Sequence, residues 1–157
     1  FSFDTESAHG LVFISMMAAR LRDTQKVMDN LNRFARRNYV YGGLVTSHNP
    51  DHAVYNLDAI LSLPRLIYEM LVFSQPGHID LLPACPKQLP NGQLSGIRIH
   101  GGHKLSISWA NGKLKQAILY PGRNEDYTVV YGTKGKRLQL KAGQPLVISD
   151  QLEVRQL

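Results

Sequence analysis

The chain has 157 residues, 43% of them hydrophobic, and a formal net charge of +6. That is length and apolar content for one ordinary domain or a small domain beside part of another, and it excludes wholesale disorder. Apolar runs such as Leu11 to Ile14 are far too short to cross a bilayer, so no membrane partner is expected. The start, Phe1-Ser2-Phe3-Asp4, lacks the basic and apolar segments of a secretory signal and an initiator Met, so the natural start is expected upstream. Cys85, the only cysteine, excludes an intramolecular disulfide and a Cys-based zinc site. It sits between Ala84 and Pro86, and reads as a buried structural thiol. Residues 1–75 hold seven basic and seven acidic side chains, whereas 76–157 hold eleven and five. A basic half can attract nucleic acid or acidic glycans. Here the lysines are scattered along strand-like segments, so a solvated basic surface is expected and no nucleic-acid partner. The one compact run, Lys134, Lys136 and Arg137, reads as a hairpin loop.

Two periodicities divide the chain. Leu11, Phe13, Ile14, Met17, Ala18 and Leu21 recur at helical spacing. Asp23-Thr24 interrupts the pattern and can cap a second helix carrying Val27, Met28, Leu31, Phe34 and Ala35. Arg33, Arg36 and Arg37 close that helix, where cations suit its dipole. The two read as an antiparallel hairpin with a short connection. Asn38 to Tyr55 reads as a long loop, with Gly42-Gly43 and then Ser47-His48-Asn49-Pro50-Asp51-His52. A third helix is predicted from Leu57 to Phe73, with a kink at Pro64 or a start near Leu63.

Gln75-Pro76-Gly77 marks the break, and alternation of period two follows. Strands are predicted at Ile97–His100, Leu105–Trp109, Leu114–Tyr120, Tyr127–Tyr131, Arg137–Leu140 and Pro145–Ile148. Asn111-Gly112 is a strong hairpin turn signal. Residues 1–75 are therefore expected to be helical and 76–157 to form an antiparallel β-sandwich, an α+β chain overall.

Two stretches carry a resemblance. The first runs Ile79-Asp80-Leu81-Leu82-Pro83-Ala84-Cys85-Pro86, Leu89-Pro90-Asn91-Gly92, Leu94-Ser95-Gly96-Ile97-Arg98, Gly101-Gly102, then the Trp109 to Leu114 turn. It resembles the junction in glycoside hydrolases of family 95, the α-L-fucosidase family, where the chain leaves an (α/α)6 catalytic barrel and enters a C-terminal β domain. The second is the loop and third helix, which resembles the family's H-P-P-F-Q-I-D-G-N-F-G-G run ahead of an E-M-L helix. Aligned without gaps from Glu69-Met70-Leu71, Asp58 falls on the family's aspartate, Asn56 on its Gln, Tyr55 on its Phe and His52 on its His. Ala53-Val54 stand where the family has two prolines, and Ala59-Ile60-Leu61-Ser62 replace its G-N-F-G.

The resemblance implies that residues 1–75 are the closing helices of the barrel and 76–157 its β-sandwich neighbour. It implies an inverting exo-glycosidase, with Asp58 as the base that activates water and His52 and Asn56 lining the sugar site. The general acid and the asparagine partner belong to an earlier part of the barrel, so the fragment would be inactive alone. Its partners would be a glycoside or oligosaccharide substrate and the remaining barrel, with no cofactor and no metal. Secretion or a periplasmic location is implied by the family. Read from the residues alone, Asp58 is a helix N-cap just as readily as a base. The alternative for the whole chain is a non-catalytic β-sandwich accessory or glycan-binding module.

Other side chains have structural readings beside functional ones. Glu69, within an apolar helix pattern, reads as a surface or paired carboxylate rather than a second acid. His48 and His52, with Asp51 between, have an i, i+4 spacing that holds a metal only on a helix, and Asn49-Pro50 argues against one. Tyr39 and Tyr41 could stack on a sugar ring or pack. His100 and His103 read as structural, and Trp109 as closing the sandwich core.

Overall fold

The structure is a computed structural model that describes residues 7–42, 45–51 and 54–157. It divides into two compact units, 1–70 and 71–157, so the division falls a few residues before the Gln75-Pro76-Gly77 break.

The first unit is helical. Helix α1 spans Ala8–Arg20. The Ser7 hydroxyl accepts from the Gly10 amide, so one of the four donors orphaned at a helix start is satisfied. Helix α2 spans Thr24–Arg36, and the Asp23 carboxylate caps it by accepting from the Lys26 amide at 2.9 Å. Arg22 turns the chain between them at φ 62°. The buried stripe of α1 is Leu11, Val12, Ser15, Met16 and Ala19, while Phe13, Met17 and Leu21 face outward. The apolar set expected from the sequence thus splits between two faces.

The stretch after α2 is not an open loop. Short strands β1 (Val40–Tyr41) and β2 (Val45–Thr46) pair antiparallel. A second rung then folds back: Ser47 bridges Tyr55, the His48 amide donates to Val54 O, and the Asn56 amide donates to Thr46 O. Backbone groups that a loop would leave to water are paired internally. Tyr39 is fully buried and stacks on Phe34 with ring centroids 5.8 Å apart, so it packs the core and does not meet a sugar.

Helix α3 spans Leu57–Leu71 and runs through Pro64 rather than starting there. Two contacts fix its direction. His9 on α1 lies 3.9 Å from Asp58 at the start of α3, and Arg20 at the end of α1 pairs with Glu69 near the end of α3. Eleven residues separate the partners on each helix, about 16 Å of rise. The two helices therefore run parallel, with α2 returning between them in sequence.

The second unit is built of two sheets. Strands β3 (Val72–Gln75), β4 (His78–Leu81), β8 (Glu125–Tyr131) and β9 (Lys134–Leu140) form one, in the order β3-β4-β8-β9. Strands β5 (Gly92–Ile99), β6 (His103–Ala110), β7 (Lys113–Tyr120), β10 (Leu146–Ile148) and β11 (Val154–Gln156) form the other, in the order β11-β10-β7-β6-β5. Their facing sides share a core that includes Ile79, Leu105, Ile107, Trp109, Leu119, Tyr127, Val129 and Ile148.

Four differences from the sequence reading have physical reasons. Pro76-Gly77 is the tight turn of the β3–β4 hairpin, with Gly77 at φ 67°, and not a linker. Strand β4 pairs parallel with β8, so the four-stranded sheet is mixed, whereas the five-stranded sheet is antiparallel throughout as expected. Lys134, Lys136 and Arg137 lie on β9 and not in a loop. Cations on an edge strand oppose edge-to-edge pairing with other chains. The 3-residue strand β11 is too short to show a period and has no counterpart among the predicted strands. The Asn111-Gly112 turn is as expected, with φ of 52° and 69° at its two central residues, as a type I′ hairpin requires.

Candidate functional site

The polar groups at the N-terminal ends of α1 and α3 come from three segments. Asn56 precedes α3, and its side-chain oxygen accepts from the Ala59 amide at 3.1 Å. Asn56 is therefore the cap of α3, and the alternative reading of Asp58 as that cap is corrected. The Asn56 side-chain nitrogen donates to His48 Nδ1 at 3.2 Å, and its backbone oxygen accepts from the Thr46 hydroxyl. Asn56 is buried, with both ends of its amide engaged within the protein. Because His48 Nδ1 accepts, its proton sits on Nε2.

Asp58 is the second residue of α3, and its side chain is 74% exposed. Helix-start amides favour negative charge at such a position. His9 Nδ1 lies 3.9 Å from Asp58 Oδ2, beyond hydrogen-bond length. The ring of His9 rests on Phe13, with centroids 4.4 Å apart. Neither His9 nor the bond between Asn56 and His48 was visible to sequence reasoning, because both depend on how the segments cross. His52, expected to line a sugar site, lies outside the described residues, as do Gly43 and Ala53. Tyr41 is half-buried. Among the described residues, no three His, Cys, Asp or Glu side chains group to hold a metal.

At the opposite ends of α1 and α3, Glu69 is held in a fork. Arg20 Nε and Nη2 donate to its two oxygens at 2.6 and 2.9 Å, and Arg65 Nε donates at 2.6 Å. The Glu69 side chain is 2% exposed. Burial pushes its carboxyl up, but the hydrogen bonds and charges of Arg20 and Arg65 outweigh this and hold it below the usual carboxylate range. Glu69 also holds the Arg20 guanidinium above its ordinary value. A carboxylate kept ionised and filled with donors cannot deliver a proton, so Glu69 is a tie between helices. The i, i+4 spacing of Arg65 and Glu69 was legible; Arg20, 49 residues away, was not.

In the second unit, His103 is fully buried between Gly122 and Glu125. Its Nδ1 accepts from the Gly122 amide at 2.9 Å, so the proton sits on Nε2 and is donated to the Glu125 carboxylate. Arg123 donates to the other Glu125 oxygen. Burial raises Glu125, yet His103 and Arg123 outweigh it and hold the carboxyl below the usual range. The His103 ring meets Tyr127 edge-on at 5.3 Å. Burial pushes the Tyr127 hydroxyl up, although Ser74 bonds to it. Both ring nitrogens of His103 and both oxygens of Glu125 are spent within the protein, which is the mark of a structural network. Burial likewise pushes the half-buried Cys85 thiol up, away from the thiolate a nucleophile needs.

Residues 73–154 match the family model described as glycoside hydrolase family 95, C-terminal domain. The chain belongs to glycoside hydrolase family 95. It is also similar to α-L-fucosidase 2 of Arabidopsis thaliana, 33% identical over 106 residues that make up 67% of this chain. The same stretch is 12% of the length of that relative, so the chain spans a small part of it.

The structure explains why this family 95 segment carries its glycines and its tryptophan. Gly101 has φ 85°, and a Cβ there would fall 2.3 Å from Glu125 Oε1 and 2.5 Å from His103 Nε2. Only glycine lets the turn into β6 approach the His103–Glu125 pair. A Cβ on Gly92 would strike the Trp109 ring at 2.3 Å. Trp109 is buried and donates from Nε1 to Leu89 O at 2.9 Å, pinning the proline-rich crossover to the sheet as a core residue. Asn56 and Asp58 precede the segment matched by the family model.

Proposed function

We propose that this chain is the closing part of the catalytic domain of a family 95 glycosidase, followed by that enzyme's β domain, with residues 1–70 and 71–157 in the two roles. Family membership supports the hydrolase class. The observation that carries the catalytic reading is the parallel pairing of α1 and α3, which holds Asp58 at a helix start with its carboxylate open to solvent. An (α/α)6 barrel alternates helix direction between an inner and an outer ring, so helices of one ring run parallel. In this reading α1 and α3 belong to one ring and α2 to the other.

The surface of the helical unit supports the same reading. Phe13 and Met17 on α1 and Leu21 just past its end form a stripe at i, i+4, i+8, and Leu57, Leu61 and Tyr68 form one on α3. Leu61 is 71% exposed and Leu21 79%. Two amphipathic stripes left in water are what removal of neighbouring barrel helices would create.

Asp58 is then the group that takes a proton from the attacking water. It has no hydrogen-bonded donor to quench it among the described residues, unlike Glu69 and Glu125. Asn56 fixes the first turn of α3, and hence the position of Asp58, through its bonds to Ala59 and His48. This positioning role is a change from direct contact with sugar, since both ends of the Asn56 amide are engaged. His52, which lies outside the described residues, remains the proposed sugar contact on the resemblance alone. The general acid lies across the scissile bond on an earlier barrel helix, at the wider spacing that leaves room for water.

The test is the stereochemistry of an aryl α-L-fucoside cleaved by the full-length protein. Proton NMR should show β-L-fucose as the first product, because a water-activating base inverts the anomeric centre. First formation of the α-anomer would mean a covalent intermediate and remove the proposed role of Asp58.

A further inference from the structure

The outward side of the five-stranded sheet carries charge that the catalytic reading leaves unused. Register places side chains on it in rows. Arg98 on β5 sits directly opposite Lys104 on β6, and Lys104 opposite Tyr120 on β7. Along the sheet, Ser106 faces Ile118, Ile118 faces Val147, and Val147 faces Arg155. Ser108 and Gln116 make the next pair. That pair helps to line an open cleft of about 530 Å³, together with Val147, Lys115, Glu153 and Arg155.

Two features set this face apart from an ordinary solvated surface. Like charges directly opposite each other on neighbouring strands destabilise a sheet, and Arg98 and Lys104 are such a pair. Arg98, Lys104, Lys115 and Arg155 also have no carboxylate within ion-pair distance among the described residues, whereas Arg123 and Arg137 of the same unit do. Glu153 is the only carboxylate in the cleft. The face therefore presents four uncompensated cations, one aromatic ring and a set of hydroxyl and amide groups across strands about 4.8 Å apart.

We propose that this face binds a carboxylate-bearing polysaccharide, with Arg98, Lys104 and Arg155 meeting its carboxylates, Tyr120 lying against a ring, and Ser108 and Gln116 bonding hydroxyl groups in the cleft. Charge complementarity selects an anionic occupant, and the hydroxyl and amide lining suits sugar. Guanidinium groups pair with carboxylates through two parallel hydrogen bonds, which favours uronic acids. The site is a holding surface in the β unit. It needs neither Asp58 nor a barrel.

The experiment uses the 157-residue chain and one polymer in two forms, polygalacturonate and its methyl ester, in affinity electrophoresis across a salt series. The acid form should retard the chain and the ester should not, with retardation falling as salt rises. The double variant R98Q/K104Q and the single variant R155Q should each weaken binding about tenfold. The double variant K134Q/K136Q, on the other sheet, should leave it unchanged. Equal binding of the ester would overturn the proposal. So would equal loss from K134Q/K136Q, tighter binding of single-stranded DNA than of polygalacturonate, or no retardation at all. No glycosidic bond is cleaved in this measurement, so its failure leaves the hydrolase reading standing, and the loss of that reading leaves this one.

Discussion

Replacing Asp58 by Asn in the full-length protein should lower kcat by about 10²-fold or more, with KM and melting temperature nearly unchanged. The expectation of a stable variant comes from the structure. Asn56, not Asp58, caps α3, and the Asp58 side chain is 74% exposed and accepts no hydrogen bond among the described residues. Removing its charge costs α3 a helix-dipole contact, about 0.5 kcal/mol, and weakens only the long 3.9 Å approach of His9. Asn is nearly the same size as Asp but cannot take a proton from water. Steady-state turnover and calorimetry on the two proteins check both halves. A kcat within a few-fold of the wild type would take Asp58 out of the mechanism.

The second large effect concerns folding. Glu69→Ala should destabilise the helical unit by about 2–3 kcal/mol, because it strands two guanidinium groups that now share one buried carboxylate. Both arginines keep partial access to water, which holds the loss to that range. The effect has a pH dependence of known sign. The Glu69 carboxyl is depressed in the folded chain, so its contribution is fully present above the ordinary carboxylate range. It is lost as pH falls through the depressed value. Thermal melts of wild type and Glu69→Ala should therefore differ most near neutral pH and converge in acid. A gap that stays constant from pH 7 to acid would contradict the assignment.

Some of this was written in the sequence and some was not. The helical hairpin was legible because Asp23 caps α2 and the apolar residues repeat at helical spacing. The faces were harder to assign. Phe13, Met17 and Leu21 obey the helical period as well as Leu11 does, yet they lie outside the buried stripe. Periodicity records that a face is apolar, not which partner covers it. In the second unit, Asn111-Gly112 marked its hairpin because both residues must take positive φ. The β3–β4 hairpin was hidden by the opposite circumstance: its strands are four residues each, and Val72-Phe73 prolong the apolar pattern of α3. The parallel β4–β8 pair joins segments more than 40 residues apart, and nothing local encodes it.

The candidate site divides in the same way. Asp58 could be singled out by an ungapped comparison from Glu69-Met70-Leu71. Its neighbour His9 could not, because the two approach through the parallel packing of α1 and α3. The role of Asn56 as cap was masked by Asp58, an equally good capping residue two positions on. His103 and Glu125 lie 22 residues apart, and only the Gly101-Gly102 turn hints that something approaches closely there.

On the proposed reading, catalysis needs a barrel of which this chain holds only the closing helices. Turnover of an aryl α-L-fucoside should be measured side by side for the full-length protein and for the 157-residue chain at equal molar concentration. The account predicts hydrolysis by the first and a rate equal to the buffer blank for the second, since each missing acid or base step is worth about 10²–10⁴-fold. Turnover by the chain alone above that blank, or none by the full-length protein, would contradict it.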